Sequence, residues 1–173
     1  EKEAFEAGKL IKARNIEFTT MFTSDLIRAQ ITGQMILAGI GQTHIEVVKN
    51  QALNERDYGD LSGLNKDDAR KKWGEEQVHI WRRSYDIPPP GGESLKNTAE
   101  RVLPYFNSLV LPMLIQGKNI LVAAHGNSLR SLVMQLDNLS KEEVIALEIP
   151  TGAPIIYTFQ GSEEPINKEN LFE

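Results

Sequence analysis

The sequence predicts an α/β protein of the three-layer α/β/α type, in which helices cover both faces of a mainly parallel central sheet. Short apolar segments alternate along the chain with segments whose apolar residues recur at helical spacing, and this alternation favours strands joined by helices. The clearest example is the apolar run 119–124, which is followed by a helical pattern over 128–136. His125 therefore lies where a strand ends and a helix begins, which is where open α/β sheets bind ligands.

The first part of the chain contains two predicted helices and two predicted strands. The first helix is amphipathic and has no capping residue ahead of it, so we expect the chain to begin within a larger structure. Ser24 is expected to cap the second helix through its hydroxyl. The predicted elements are a helix over 1–14, a strand over 18–22, a helix over 25–37 and a strand over 44–48.

The rest of the chain is predicted to contain more helix than strand. Asn65 is expected to cap a helix that runs to Arg83, where the proline run 88–90 must stop it. Ser94 is expected to cap a long helix to about 115, interrupted near Pro104 and Pro112. The other predicted elements are a loop over 53–63, a strand over 119–124, helices over 128–136 and 140–147, a last strand over 154–159 and a polar tail.

Composition restricts the classes of function. The chain has 173 residues, a net charge of −5 and no cysteine, which excludes disulfides, thiol nucleophiles and cysteine-bound metals and fits a reducing cytoplasm. The acidic balance does not favour nucleic acid or acidic membranes as partners. No run approaches the roughly 18 apolar residues of a transmembrane helix, and the charged N-terminus is unlike a signal peptide.

Two sets of side chains are candidates for proton transfer or phosphate binding. His125 follows a strand at a helix N-terminus, where free N–H groups favour anions; it is either catalytic or phosphate-binding, or a satisfied core histidine. Glu55 and Tyr58 lie in a glycine-containing loop and could supply a proton donor beside a ligand. Solvated charges on a surface loop explain the same pattern.

Basic residues near helix ends are also ambiguous. Arg82 and Arg83 could grip a carboxylate or phosphate bidentately, or simply interact with a helix C-terminus. Arg28, one turn into its helix, is similarly ambiguous. Lys66 lies beside a helix start, where a cation is unfavourable for the dipole, and this conflict hints at a function. The three histidines are dispersed, so no metal site is predicted, and glycine-rich nucleotide-binding motifs are missing from the sequence.

Read together, the motifs resemble the cofactor-dependent phosphoglycerate mutases of the histidine phosphatase superfamily. The resemblance extends over nearly the whole chain, in order and at compatible spacings. The motifs are Ser24-x-Leu26-x-Arg28-Ala29, Leu53-Asn54-Glu55-Arg56-x-Tyr58-Gly59-Asp60-Leu61-x-Gly63-Leu64-Asn65-Lys66, Trp81-Arg82-Arg83-Ser84-Tyr85-Asp86-x-Pro88-Pro89, Gly92-Glu93-Ser94-Leu95, Ala124-His125-Gly126-Asn127-Ser128-Leu129-Arg130 and Ile149-Pro150-Thr151-Gly152-x-Pro154.

The resemblance implies a role for each candidate residue. Glu55 matches the family's general acid/base, and His125 matches the histidine that stabilises the charge of the transferring phosphoryl group. The residues that would hold the substrate's phosphate and carboxylate are Arg28, Tyr58, Lys66, Arg82, Arg83, Gly126 and Asn127. This clustering would concentrate positive charge in one cleft of an acidic protein.

The resemblance also implies an activity. A member of this family interconverts 3-phosphoglycerate and 2-phosphoglycerate through a phosphohistidine, in glycolysis and gluconeogenesis, with 2,3-bisphosphoglycerate as the primer and without a metal. The expected partners are small-molecule phosphoglycerates, with no nucleic acid and no membrane. Dimers or tetramers are common in the family, so we expect a homo-oligomer in the cytoplasm.

One part of the family pattern is missing from these residues. The family's nucleophilic histidine lies in an Arg-His-Gly segment after the first strand, and the sequence contains no Arg-His-Gly. We therefore expect residues 1–173 to be one phosphoglycerate-mutase-like domain that lacks its first strand and nucleophile loop. The alternatives are a broad-specificity histidine phosphatase and a truncated, non-catalytic phosphate-binding paralogue.

Overall fold

A computed structural model describes residues 1–171. The chain packs as two compact units. The first comprises Glu1–Asn54, Pro104–His125 and the described residues from Glu148 onward, and the second comprises Glu55–Leu103 and Gly126–Leu147. The single domain predicted over residues 1–173 stays a prediction. Across residues 1–171, no helix is both long and apolar enough to cross a membrane.

A parallel three-stranded sheet lies in the first unit. Its middle strand β1 (Thr20–Thr23) is buried along its whole length and pairs in parallel with β2 (Glu46–Lys49) on one side and β3 (Ile120–Ala123) on the other. These strands confirm the predicted α/β class with a parallel sheet. Because parallel strands end at the same edge of a sheet, residues that follow β1 and β3 share that edge.

Two helices of the first unit, α1 (Lys2–Lys12) and α2 (Ile27–Ile40), approach each other closely at a pair of glycines. A Cβ added to Gly8 would overlap the carbonyl oxygen of Ile36, and one added to Gly39 would overlap that of Phe5. The backbones can therefore pack at this crossing only because neither residue carries a side chain.

The polar tail predicted after residue 159 is wrong for the residues that the structure describes. The last predicted strand, β4 (Ile155–Phe159), pairs antiparallel with a further strand, β5 (Pro165–Asn170). No residue of β5 is buried, and Ile166, Asn167 and Lys168 are exposed. Its sequence, Pro165-Ile166-Asn167-Lys168-Glu169-Asn170, consists mostly of residue types that are depleted in strands, and this explains why it resembles a tail.

The second unit is mainly helical. The predicted helix over 65–83 is two helices, α3 (Lys66–Trp73) and α4 (Glu75–Arg83), because Gly74 adopts a φ of 91° between them. The predicted cap is confirmed, since Asn65 Oδ1 accepts the N–H of Asp68 at 2.8 Å.

The predicted long helix over 94–115 is interrupted, as the prolines indicated. Ser94 Oγ accepts the N–H of Asn97, α5 spans Leu95–Tyr105 with Pro104 inside it, a wider π-helical turn spans Phe106–Val110, and α6 spans Leu111–Ile115. The remaining helices are α7 (Gly126–Leu136) and α8 (Lys141–Ala146).

Candidate active site

His125 lies in the first unit, directly beyond the end of β3. Only 8% of its surface is exposed, and its Nε2 is 2.8 Å from Oγ of Ser24, which follows β1. The same serine oxygen accepts the N–H of Leu26 at 3.2 Å. The cap predicted for Ser24 is therefore wrong in detail: α2 begins at Ile27, and the serine instead holds the imidazole.

The other predicted site residues divide between the two units. Arg28 lies in the first turn of α2, with an exposed side chain, in the first unit. The residues in the second unit are Glu55, Tyr58, Lys66, Arg82, Arg83, Gly126 and Asn127. Within residues 1–171, no group of three or more His, Asp or Glu side chains is placed to hold a metal ion.

The Glu55 carboxylate lies at the N-terminus of α7. Its Oε1 accepts the backbone N–H of Asn127 at 3.0 Å and that of Arg56 at 2.9 Å. The N-terminus of a helix stabilises an anion through free N–H groups and the helix dipole. Glu55, Gly126 and Asn127, three residues predicted for the site, are therefore together, around a position suited to negative charge.

Tyr58 lies beside the same helix start and is surrounded by cations. Its hydroxyl oxygen accepts a hydrogen bond from Asn127 Nδ2 at 3.1 Å. The guanidinium groups of Arg56 and Arg82 are 4.8 Å and 5.5 Å from its ring centroid. Both are close enough for cation–π attraction, which holds the ring in place.

A small cavity in the second unit is lined by four arginines and no acidic residue. Its volume is about 10 Å³, and its polar lining comes from Arg56, Arg82, Arg83, Ser84, Asn127 and Arg130. Such a volume holds about one water-sized group. Arg82 Nε is buried without a hydrogen-bond partner among the described residues. A buried donor of this kind is costly unless it is bonded, so the cavity is suited to an anionic oxygen.

A larger cavity of about 490 Å³ opens between α3 and α4. It is lined in part by Lys66, Arg82 and Arg83, so the predicted lysine shares a cavity with both predicted arginines. Glu75 and Glu76 also line it, and this cavity is therefore of mixed charge.

Sequence reasoning assigned no role to Arg56, although it lies within a recognised motif. Its side chain is 4% exposed and donates to the carbonyl oxygens of Glu93 and Trp81. Burial lowers the pKa of Arg56, and arginine nevertheless stays charged. Its position between these two carbonyl oxygens and the Tyr58 ring fixes the loop that follows Glu55.

Glu93 and Arg101 were not predicted from the sequence either, and their hydrogen bonds fix the same loop. Arg101 makes two hydrogen bonds with the Glu93 carboxylate, at 2.8 Å and 2.9 Å, and its Nη2 donates to the carbonyl oxygen of Glu55 at 3.0 Å. Glu93 Oε1 accepts the N–H of Asp57. Burial alone would raise the pKa of Glu93, but these bonds hold it below its usual value.

Glu93→Gln is expected to make stability less dependent on pH in acid. A carboxyl whose pKa is lowered by folding stabilises the protein above its unfolded pKa of about 4.3, and loses that contribution as pH falls through the folded value. The wild-type melting temperature should therefore fall more steeply below about pH 4.3 than that of Glu93→Gln. Thermal unfolding between pH 3 and 7 measures this, with exposed Glu142→Gln as control; parallel curves for wild type and Glu93→Gln would contradict it.

The comparison with protein families gives the broad class first. The profile of the histidine phosphatase superfamily (branch 1) matches residues 1–171, so the chain belongs to that superfamily. It is 64% identical over 172 residues to the 2,3-bisphosphoglycerate-dependent phosphoglycerate mutase of Parvibaculum lavamentivorans, covering 99% of this chain and 82% of that one. Within the superfamily, the chain belongs to the family of 2,3-bisphosphoglycerate-dependent phosphoglycerate mutases.

Further comparisons agree on family and fold. The relative of the same description from Rhizobium meliloti is 58% identical over 170 residues, covering 98% of this chain and 81% of that one. The native structure of mycobacterial glucosyl-3-phosphoglycerate phosphatase superposes with a TM-score of 0.75 at 22% identity, over 98% of this chain and 82% of that one. This structural likeness confirms the predicted fold.

Proposed function

We propose that this protein interconverts 3-phosphoglycerate and 2-phosphoglycerate through a phosphohistidine, with 2,3-bisphosphoglycerate as primer. The observation that carries the proposal is the cavity lined by four arginines, with an unpartnered Arg82 Nε, in a chain 64% identical to a named mutase. Guanidinium donors in a cavity lined by no acidic side chain fit the phosphate and carboxylate oxygens of a phosphoglycerate.

The proposal gives each residue a chemical role. Glu55 moves a proton to or from the substrate hydroxyl as the phosphoryl group is transferred. His125, held by Ser24, stabilises the charge of the phosphoryl oxygens. The residues that bind substrate oxygens are Arg28, Tyr58, Lys66, Arg82, Arg83, Gly126 and Asn127.

The nucleophile of this reaction is assigned to none of the histidines in these residues. His44, His79 and His125 do not follow an arginine, unlike the nucleophile of the family pattern. Turnover is therefore measured on protein expressed from its complete reading frame, with the intact mass compared with the 19.4 kDa of these residues. A heavier chain that contains an Arg-His-Gly peptide would supply the nucleophile.

The test of the proposed function is the fate of the phosphoryl group. Purified protein is given 3-phosphoglycerate with and without 2,3-bisphosphoglycerate, and phosphorus NMR follows the products. We expect 2-phosphoglycerate to form, and primer to accelerate its formation. Release of inorganic phosphate alone would indicate a phosphatase of the same superfamily, and binding without turnover would indicate a non-catalytic protein. The cytoplasmic location and the homo-oligomer remain part of the proposal.

A further inference from the structure

The side-chain amide of Asn127 lies between a donor and a hydroxyl. Its Oδ1 is 3.3 Å from Nη1 of Arg130, and its Nδ2 is 3.1 Å from the hydroxyl of Tyr58. The oxygen and nitrogen of an amide have to be told apart by their partners. The Arg130 contact fixes the orientation of the Asn127 amide, because a guanidinium has only donors and can face only the amide oxygen.

This orientation determines what the Tyr58 hydroxyl does. With Nδ2 of Asn127 facing it, the phenolic oxygen accepts a hydrogen bond, and its own single proton is left to donate elsewhere. Tyr58 is partly exposed, so a ligand can reach it. The guanidinium groups of Arg56 and Arg82 lie against its ring. Because both groups are positively charged, the acceptor best suited to the Tyr58 proton is an anionic oxygen.

The opposite amide orientation would remove that donor. If the amide rotated by half a turn, Oδ1 would face Tyr58 and accept its proton, while the amide nitrogen would face the guanidinium. Two donors in contact are unfavourable, so Arg130 excludes this arrangement. Arg130 is the last residue of the motif that begins at Ala124, and no role was predicted for this arginine from the sequence.

We propose that Arg130 is a positioning residue, which holds the Asn127 amide so that the Tyr58 hydroxyl is kept as a hydrogen-bond donor to a phosphate or carboxylate oxygen of the substrate. This inference rests on the proposed function, since the ligand is the phosphoglycerate. Arg130 also lines the small cavity, but its positioning effect acts through Asn127 and therefore requires the hydroxyl of Tyr58.

The test is a double-mutant cycle on binding, which needs no turnover. Arg130→Met, Tyr58→Phe and the double variant are titrated with 3-phosphoglycerate by calorimetry. Each single variant should weaken binding about 10-fold, because each removes a hydrogen bond from the Tyr58 hydroxyl to a charged oxygen of the ligand. The double variant should bind within about 2-fold of Tyr58→Phe, because both changes remove the same donor.

Matched variants separate positioning from charge and from folding. Lys118→Met removes one exposed positive charge and should leave binding unchanged. Arg130→Gln, whose amide can accept, should resemble Arg130→Met, whereas Arg130→Lys, which has only donors, should bind within about 3-fold of wild type. If Arg130→Met does not fold, the Gln and Lys variants provide the same comparison.

Two results would overturn the inference. One is a wild-type affinity in both Arg130→Met and Arg130→Gln. The other is a double variant weakened by the product of the single effects, which would mean that Arg130 acts independently of Tyr58. Failure of the wild-type protein to bind 3-phosphoglycerate would instead overturn the proposed function, and the inference with it.

Discussion

Replacing Glu55 by Gln is expected to abolish phosphoryl transfer and to leave phosphoglycerate binding within a few-fold of wild type. The amide oxygen of Gln can still accept the N–H groups of Asn127 and Arg56, so the geometry around the start of α7 is kept. An amide cannot exchange a proton near neutral pH, and loss of a general acid/base costs about 10²- to 10⁴-fold in rate.

The measurement compares kcat with the dissociation constant for the same protein preparation. Glu142→Gln, an exposed carboxylate of α8, is the control and should retain both values. Near-normal turnover in Glu55→Gln would show that the acid/base assignment is wrong. A loss of binding as large as the loss of rate would indicate that the carboxylate mainly holds the loop and helix together.

Gly39→Ala is expected to be among the most destabilising single substitutions in the first unit. The added Cβ would overlap the carbonyl oxygen of Phe5 and lie 3.0 Å from Cα of Gly8. Because the overlap is with backbone, which cannot move aside as the end of a flexible side chain can, the cost should reach about 3 kcal/mol or more, which corresponds to a fall in Tm on the order of 6–12 °C for a chain of this size.

Thermal unfolding checks this prediction, with Gly41→Ala as the control. Gly41 has a φ of 85° and no atom within 4 Å of an added Cβ, so its substitution costs only backbone strain of about 1–2 kcal/mol. Gly39→Ala should therefore melt below Gly41→Ala, because it adds an overlap with backbone atoms that Gly41→Ala does not. Equal melting temperatures would mean that α1 and α2 can separate at the crossing without loss of stability.

The features that local chemistry determines were predictable from the sequence. The buried strands β1 and β3 are short apolar runs, and Asn65 and Ser140 satisfy backbone N–H groups a few residues away. The break at Gly74 was missed because a single glycine is tolerated within a helical pattern. Strand β5 was missed because its proline, asparagine, lysine and glutamate residues are types that are depleted in strands.

The candidate site was predictable to the extent that its residues lie in motifs. Glu55 and Asn127 were both identified, and the structure joins them by a hydrogen bond. The functions of Glu93, Arg101 and Arg130 were not, because pairing across many residues depends on the tertiary fold and leaves no periodic pattern in one sequence. Ser24 illustrates the same limit, since its partner His125 lies 101 residues away.

In the proposed function, the bond between Glu55 and the start of α7 makes ligand binding an exchange of one anion for another. A phosphate oxygen that takes the N–H of Asn127 must first displace the carboxylate that already accepts it. We therefore expect the affinity for such a ligand to be a difference between two bonds to the same donor. A ligand that binds at the start of α7 also frees the Glu55 carboxylate from the N–H of Asn127. The general base would therefore become free to accept a proton only when the ligand is bound.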